Sequence, residues 1–306
     1  MQRFTTTSHD GATALAAYKL LPAQPPRAMV QISHGMCEYF LRYEGFAKYL
    51  AEAGFLVFGH DHLGHGSSVQ DEKDLGYTKK GGGAEVLIED VHHLTLKMKK
   101  AYPNIPVILF GHSMGSFIAR AVAERYPSTY AGAVFCGTCG DGLPTGLGKG
   151  LANLLMTFFG ERHRSALMKK IAFGGYNKTY EKGCDPNAWL SRDAKVVDAY
   201  NADRLCGFAF TLRGYYDLFD LIERVSRDSW ASKLSHKLPV LLTAGEDDPV
   251  GGYGKGVRKV AEKLRAGGHN DVTLRLYPAM RHEILNELEY ETVWADLKEW
   301  IESKLA

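Results

Sequence analysis

The stretch GHSMG, residues 111–115, lies between the apolar run IPVILF (105–110) and the amphipathic segment SFIARAVAERYP (116–127). This order predicts a strand that turns sharply into a helix, with Ser113 at the tip. The glycines on either side relieve crowding that side chains would create. Such a nucleophile elbow exposes a serine hydroxyl at the top of a parallel sheet and directs the next backbone N–H to the same space. The stretch therefore predicts a nucleophilic serine that needs a base, an acid and oxyanion donors.

Continuous apolar runs recur along the chain on both sides of this elbow. They are AMVQIS (28–33), FLVFGH (55–60), IPVILF (105–110), AGAVF (131–135), LPVLLTA (238–244) and VTLRLY (272–277). Such runs are typical of strands covered on both faces, and helical patterns separate them. The alternation predicts an α/β fold with a doubly wound, mostly parallel sheet. The segment ALAAYKLL (14–21) is expected to pair antiparallel at the sheet edge.

The alternation stops at about Gly140 and resumes near Leu238. The interval is rich in helix-like apolar segments such as LANLLMTFF and YYDLFDLIERV. We therefore predict a catalytic core made of residues 1–139 and 237–306, with a helical cap, residues 140–236, inserted between the two parts. GLGKG (146–150) lacks the Lys-Ser/Thr ending and the preceding strand of a phosphate loop, and it is expected to form a flexible entry to the cap.

Composition narrows the class of protein. The 306 residues contain 37 basic and 35 acidic side chains, a balance that gives no argument for nucleic-acid binding. The first 20 residues lack the pattern of a secretory signal, and no apolar run approaches the ~18 residues of a membrane span. Five scattered cysteines suit a reducing compartment, and Cys136 and Cys139 are interpreted as buried thiols rather than a redox or zinc pair. We expect a soluble, cytoplasmic protein.

The nucleophile elbow indicates where along the chain the catalytic base and acid are expected. In α/β-hydrolases the catalytic residues follow the chain order serine, acid, histidine, each after a strand. His282, in YPAMRHEILNE, follows the last apolar run. The segment LLTAGEDDPV supplies Glu246, Asp247 and Asp248 after the preceding run; we favour Asp248, with Asp247 as the alternative. The alternative to a catalytic role, for either residue, is a purely structural one as a turn aspartate before Pro249.

Two backbone N–H groups are needed to stabilise the oxyanion. Met114 directly follows the serine, and Met36 follows His34-Gly35 in the loop after an early strand. The segment GHDHLGHGSS (59–68) contains Asp61, His62 and His65, which we interpret as a turn network rather than a metal site. No matching set of carboxylates and histidines recurs elsewhere at ligand spacing. We expect neither a metal nor a cofactor.

Together these motifs resemble the monoacylglycerol lipase and lysophospholipase branch of the α/β-hydrolases. The resemblance rests on HGMCEYFLRYEGFAKYLAEAGFLVFGHDHLGHGSS (34–68), GHSMG, GEDDPV (245–250) and RHEILNE (281–287), and the cap segments WLSRD and AYNADRLCGF are similar to bacterial members. It implies a catalytic triad of Ser113, Asp248 and His282, with Met36 and Met114 as oxyanion donors. It also implies that Glu38, Arg42 and His112 contact a glycerol head group.

The resemblance implies hydrolysis of a single-chain acyl ester, a monoacylglycerol or a lysophospholipid, through an acyl-enzyme. The alternatives are a small-ester carboxylesterase and a proline iminopeptidase-type amidase, which would need an acidic anchor in the cap pocket. A binding protein without catalysis is disfavoured because every triad position is present. Six apolar cap residues could line an acyl tunnel, rest transiently on a membrane surface or pack the cap onto the sheet: Leu151, Leu154, Leu155, Met156, Phe158 and Phe159. The oligomeric state stays open.

Overall fold

The computed structural model describes residues 1–140 and 144–305. Residues 141–143, at the start of the predicted cap, lie outside the described residues. The strands are β1 (Gln2–Thr7), β2 (Ala14–Leu20), β3 (Ala28–Ser33), β4 (Phe55–His60), β5 (Val107–His112), β6 (Gly132–Cys136), β7 (Val240–Gly245) and β8 (Val272–Tyr277).

The helices lie between and after these strands. They are α1 (Glu44–Glu52), α2 (Gly83–Ala101), α3 (Met114–Arg125), α4 (Thr145–Phe159), α5 (Ala166–Phe173), α6 (Ala194–Ala202), α7 (Leu212–Ser226), α8 (Asp228–Lys233), α9 (Lys255–Ala266) and α10 (Tyr290–Ser303). None of the helices in the described ranges combines the length and the apolar content needed to cross a membrane.

The strands form one sheet in the order β1-β2-β4-β3-β5-β6-β7-β8. The pairs β1–β2 and β2–β4 are antiparallel, and the remaining pairs are parallel. The predicted fold class is confirmed, as is the antiparallel edge formed by ALAAYKLL. The sequence does not predict β1, because five of its six residues, QRFTTT, are polar and none of the six is fully buried.

The register of the parallel strands brings the functional loops to one edge of the sheet. Ser33 at the end of β3 pairs with Gly111 near the end of β5, and His112 pairs with Cys136. Gly245 at the end of β7 pairs with Tyr277 at the end of β8. Since the loops after parallel strands meet at their carboxyl ends, this edge is where a site is expected.

Helices α4 to α8 lie between β6 and β7, in the interval predicted as a cap. Helix α4 packs on α7, but α7 also packs against α2 and α3, and α8 packs against α9. The division into a core and a cap with the boundaries given above stays a prediction. We refer below to this stretch, 144–236, as the inserted region.

The expectation that GLGKG forms a flexible entry is wrong. These residues belong to α4, and a Cβ atom added to Gly148 would lie only 2.7 Å from the ring of Phe219 on α7. The missing side chain therefore lets two helices approach closely. Glycine is unfavourable in a helix interior, and this tertiary contact compensates for its propensity.

Candidate active site

Ser113 lies at the turn between β5 and α3 in a strained backbone conformation, with φ 53° and ψ −122°. Non-glycine residues rarely adopt positive φ, and such strain is concentrated at functional turns. The turn is held because Ser113 N–H donates to Cys136 O at 2.9 Å and the Ser116 hydroxyl donates to Ser113 O at 2.6 Å. Ser113 remains partly exposed at the wall of a cavity.

The two elbow glycines are required by close backbone approach. A Cβ atom on Gly115 would lie 2.0 Å from Ser33 O, and one on Gly111 would lie 2.3 Å from Gly115 O. No side chain fits at either distance. The helix that begins at Met114 therefore packs directly on the end of β3, and the two glycines relieve the crowding there.

His282 and Asp248 meet beneath the same cavity. Asp248 follows β7 and is fully buried, whereas Asp247 is exposed to solvent. Nδ1 of His282 lies 3.0 Å from Oδ1 of Asp248, and Val250 N–H also donates to that oxygen at 2.8 Å. The contact falls short of hydrogen-bond geometry, and in the part of the chain that the structure describes Nδ1 of His282 and Oδ2 of Asp248 are both buried without a hydrogen-bond partner. Asp248 is thus the acid of the GEDDPV segment that contacts the histidine.

The loop after β3 is oriented by His34. Nε2 of His34 accepts the His62 N–H at 2.8 Å, so Nδ1 carries the proton and donates it to Gly35 O at 2.8 Å. Burial, reinforced by the nearby His65, lowers the pKa of His34 to about 3, which keeps the ring in this neutral form. Because a trans peptide directs its C=O and N–H to opposite sides, anchoring Gly35 O turns the Met36 N–H away from His34.

Both predicted oxyanion donors border the cavity that contains Ser113. Met36 and Met114 line it, and a Cβ atom on Gly35 would lie 3.2 Å from Cβ of Ser113, so this loop passes directly beside the serine. Met114 is the first residue of α3, and its N–H has no intrahelical partner.

Glu38 organises a buried polar network behind the serine. Its carboxylate accepts hydrogen bonds from Gly35 N–H, from the Tyr43 hydroxyl at 2.7 Å and from Arg42 at 2.7 Å. Burial opposes ionisation of Glu38, but the hydrogen bond from His112 and the charge of Arg42 hold its pKa well below the usual range. In turn, although burial alone would lower the pKa of His112, the hydrogen bond to Glu38 raises it.

The three predicted head-group contacts differ in position. Glu38 and His112 line the cavity, whereas Arg42 is not among its lining residues. Its guanidinium makes two hydrogen bonds to Glu283, at 2.6 and 2.7 Å, in addition to the one with Glu38. Arg42 therefore supports the wall of the cavity from behind.

The cavity has a volume of about 660 Å³ and is bounded by both parts of the chain. The inserted region supplies aromatic and apolar lining residues that sequence reasoning missed: Phe173, Tyr176, Trp189, Leu190, Tyr200, Phe208, Tyr215, Leu218 and Ile222. Trp189 is the most direct of these, because its ring lies 5.0 Å from that of His282 and its carbonyl accepts the His282 N–H at 3.2 Å. The tryptophan in AWLSRD (188–193) is the sequence signal that could have indicated this contact.

Of the three alternatives given for the six apolar residues of α4, the acyl tunnel is contradicted, since none of them borders the cavity. Leu151, Leu155 and Met156 are partly buried and pack against the main hydrophobic core. Leu154, Phe158 and Phe159 are exposed. Leu154 and Phe158, four residues apart, therefore share a solvent-facing side, whereas Phe159 is exposed at the last position of the helix.

The GHDHLGHGSS segment forms a buried turn network. Asp61 accepts hydrogen bonds from Phe40 N–H at 2.9 Å and Ser67 N–H at 2.7 Å. Nε2 of His62 lies 2.9 Å from the Ser33 hydroxyl, and burial lowers the pKa values of both His62 and His65. These contacts secure the end of β4 against the loop that carries Met36.

The sequence and the structure of this chain are similar to those of known lipases and esterases. The chain is 30% identical to a monoacylglycerol lipase from Mycolicibacterium smegmatis over 93% of this chain and 91% of the relative. It is 28% identical to the human monoglyceride lipase over 93% and 86% of the two chains. A thermostable carboxyl esterase from Bacillus coagulans, solved in complex with glycerol, superposes with a TM-score of 0.93 at 30% identity, covering 100% and 99% of the chains.

The family described as serine aminopeptidase, S33 (Hydrolase_4), matches residues 24–289. These findings confirm the resemblance inferred from the sequence motifs. The chain therefore belongs to the serine aminopeptidase S33 family of α/β-hydrolases.

Proposed function

We propose that this protein hydrolyses the carboxylic ester bond of monoacylglycerols, or of other single-chain acyl lipids, through a covalent intermediate on Ser113. The observation that carries the proposal is the strained Ser113 at a cavity that His282 also lines, with Asp248 buried against the imidazole. The monoglyceride and monoacylglycerol lipases among the relatives support this choice of ester.

In the proposed reaction, Oγ of Ser113 attacks the ester carbonyl while His282 accepts the hydroxyl proton. The oxyanion receives hydrogen bonds from the N–H groups of Met36 and Met114. Collapse of the tetrahedral intermediate breaks the ester C–O bond, and His282 returns the proton to the departing glycerol oxygen. Water then attacks the acyl-enzyme with His282 as base, releasing the fatty acid and restoring Ser113. Asp248 fixes the tautomer of the imidazole and stabilises its cation. The reaction as proposed uses no cofactor.

The walls of the cavity support a substrate with one acyl chain and a small polar head. Its aromatic and aliphatic lining suits an acyl chain, and each buried methylene contributes roughly 0.8 kcal/mol to binding. Near Ser113 the polar lining residues are Glu38 and His112, which we propose contact the glycerol hydroxyls, with Arg42 holding Glu38 in place.

We further propose that the inserted region makes transient contact with a membrane surface. Leu147, Leu154 and Phe158 share one face of α4 and expose 78, 57 and 73% of their surface. The next helix along the chain, α5, carries the exposed Lys169 and Lys170 at the rim of the cavity. Apolar side chains with adjacent cations favour an interfacial position on anionic lipid.

A small-ester carboxylesterase is the second candidate, supported by the 30% identity to the carboxyl esterase. The amidase alternative has less support. Among the described residues that line the cavity, the carboxylates are Glu38 and Glu283, and both are paired with Arg42. Neither is free to anchor a substrate ammonium group. Cys37, Cys136, Cys184 and Cys206 form no disulfide bond, which supports the further proposal of a cytoplasmic location.

Two measurements test the proposal. A fluorophosphonate probe should add once to the wild type at Ser113, as read by intact and peptide mass spectrometry, and should not add to Ser113→Ala. Ser232→Ala, which changes an exposed serine outside the cavity, is the matched control. Labelling of Ser113→Ala at wild-type stoichiometry would contradict the assignment of the nucleophile.

A substrate panel then separates the candidates. We expect kcat/KM to rise as the acyl chain lengthens from about four to about eight carbons, because more methylenes are buried. Monoacylglycerols or lysophospholipids should exceed triacylglycerols, since a cavity of about 660 Å³ is small for a substrate with three acyl chains. Peak activity on acetyl or butyryl esters would support the carboxylesterase instead.

A further inference from the structure

A group of potential metal ligands lies away from the cavity. One ligand atom each from His9, Glu89 and His93 lies within 4.8 Å of the other two. None of the three residues lines the cavity that contains Ser113. The sequence alone did not reveal this group, because His9 is 80 or more positions from the other two and only the fold brings it to them.

Two elements supply the group. Glu89 and His93 are four residues apart on α2, a spacing that sets both side chains on one face of the helix. His9 lies in the turn between β1 and β2, and its ring centroid is 5.1 Å from that of His93. Both imidazoles are exposed, whereas Glu89 is buried at their base.

The turn that carries His9 is anchored to the same helix. Asp90 accepts hydrogen bonds from the Ser8 hydroxyl at 2.8 Å and from the His9 N–H at 2.5 Å. Asp10 closes the turn by accepting the N–H groups of Ala12 and Thr13 at 2.8 and 2.7 Å. The backbone at His9 is therefore fixed against α2 before any ion binds.

Glu89 is oriented by its neighbours. Its two carboxylate oxygens accept hydrogen bonds from the Tyr126 hydroxyl at 2.7 and 2.8 Å, and Oε1 also accepts one from Arg125 at 2.6 Å. Although burial opposes ionisation, the Tyr126 and Arg125 hydrogen bonds lower the pKa of Glu89. Oε2 has the one hydrogen bond and retains a lone pair for a cation. Outer hydrogen bonds of this kind fix a metal-ligating carboxylate.

We propose that His9, Glu89 and His93 form a binding site for a divalent metal ion of the zinc class, which fastens the β1–β2 turn to α2. Two imidazoles and one carboxylate are a ligand set that zinc accepts, with bonds of about 2.0–2.2 Å. Both rings are exposed, which leaves them room to turn toward an ion, and water completes the coordination. The site is structural, and it takes no part in the proposed ester hydrolysis.

The direct test is metal binding by the full-length protein after treatment with a chelator. Isothermal titration with Zn²⁺ should give one site per chain, and Co²⁺ should give the visible absorption of a bound ion. His9→Ala and His93→Ala should each weaken zinc binding roughly tenfold or more. His163→Ala removes an exposed histidine on another part of the surface and should leave the binding unchanged.

A second measurement tests whether zinc fastens the β1–β2 turn to α2. Zinc at about 100 times its dissociation constant should raise the thermal midpoint by about 3–5 °C and slow amide exchange in residues 8–13. His9→Ala should cut the rise in thermal midpoint to about half or less and abolish the slower exchange in the turn, although its fold without zinc should match that of the wild type. Equal zinc binding by the wild type and by the variant that combines His9→Ala with His93→Ala would overturn the proposal. So would zinc binding without slower exchange in the turn. Neither outcome depends on esterase activity.

Discussion

Two stretches of this chain place glycines four residues apart, GHSMG at 111–115 and GLGKG at 146–150, yet their surroundings are opposite. At the elbow, a Cβ atom on Gly115 would lie 2.0 Å from the backbone oxygen of Ser33. On α4, a Cβ atom on Gly146 would meet nothing within 4 Å, and the same holds for Gly150. Glycine spacing therefore does not define a structural role by itself.

The flanking sequence makes the difference. An apolar run before GHSMG forms a strand whose register holds the helix start against β3, whereas GLGKG lies inside α4, directly after its first residue, Thr145. The edge of the sheet is thus dictated by close backbone contacts. The inserted region is held by side-chain packing between helices, which tolerates more variation.

The largest effect is expected at the edge of the sheet. Asp248→Asn should lower turnover by about 10⁴-fold, because an amide no longer selects the productive histidine tautomer. Asp247→Asn is the matched control, since this neighbour is exposed and should change turnover less than about twofold. Steady-state kinetics with a soluble ester measures both. If Asp247→Asn were the more damaging variant, the acid would have been assigned to the wrong residue.

The glycine comparison itself predicts opposite signs of stability change. Gly115→Ala should lower the free energy of unfolding by about 3 kcal/mol or more, since backbone oxygens cannot move aside for the new methyl group. Gly146→Ala should raise it by about 0.5–1 kcal/mol through helix propensity. Denaturant unfolding followed by circular dichroism measures both changes, and failure of Gly115→Ala to fold agrees with the first.

A Gly115→Ala protein as stable as the wild type would contradict the difference proposed between the elbow glycines and the α4 glycines. It would mean that the elbow relaxes at little cost. Gly150→Ala provides an independent check on the helix side, because its environment is equally open. Destabilisation by both α4 variants would indicate that the solvent-facing side of this helix is covered.

An intermediate effect is expected for the exposed face of α4. Replacing both Leu154 and Phe158 by serine should weaken binding to anionic vesicles several-fold, because the apolar area available to the interface falls. Turnover of a soluble short ester should be unchanged, since neither residue lines the cavity. Vesicle co-sedimentation and the soluble assay separate these properties. The matched control is Leu96→Ser, an exposed leucine on α2. An equal loss for both variants would argue against a specific surface on α4.

Much of the sheet edge could be predicted from the sequence. Continuous apolar runs identify six strands, and GHSMG identifies the turn into α3 with Ser113 at its tip. His282 follows from the chain order of the fold. Local sequence determines these features, because each depends on a strand and the few residues after it.

The cavity wall contributed by the inserted region could not be predicted in the same way. Trp189 lies outside a regular helix, and its contact with His282 depends on how distant parts of the chain meet. The apolar residues of α4 are a second case, since their pattern predicts a helix but does not decide between lining the cavity and packing on the core, and none of the six lines the cavity. The His9 group is a third case, because no local pattern joins a hairpin turn to α2.

The smallest effect on stability is expected for the ion pairs that join the inserted region to α2 and α3. Glu85 on α2 accepts hydrogen bonds from Arg125 on α3, at 3.1 Å, and from Arg224 on α7, at 2.8 Å. The hydrogen bond from Arg125 lowers the pKa of Glu85 to about 2, and that from Arg224 adds to the effect, although partial burial opposes ionisation. The carboxylate is charged in the folded protein at pH 7, and it ties the inserted region to the core helices.

Glu85→Gln should lower the free energy of unfolding at pH 7 by less than about 1 kcal/mol, because the side chain is 39% exposed and solvent screens its ion pairs. An unfolded glutamate has a pKa of about 4.3, so the contribution is present above that pH and is lost as pH falls toward 2. Thermal unfolding between pH 7 and pH 4 should therefore show the wild-type advantage narrowing below about pH 5. Glu299→Gln, an exposed change on α10, is the control. A wild-type advantage that grew on acidification would contradict this sign, and it would mean that Glu85 does not join the two regions through its charge.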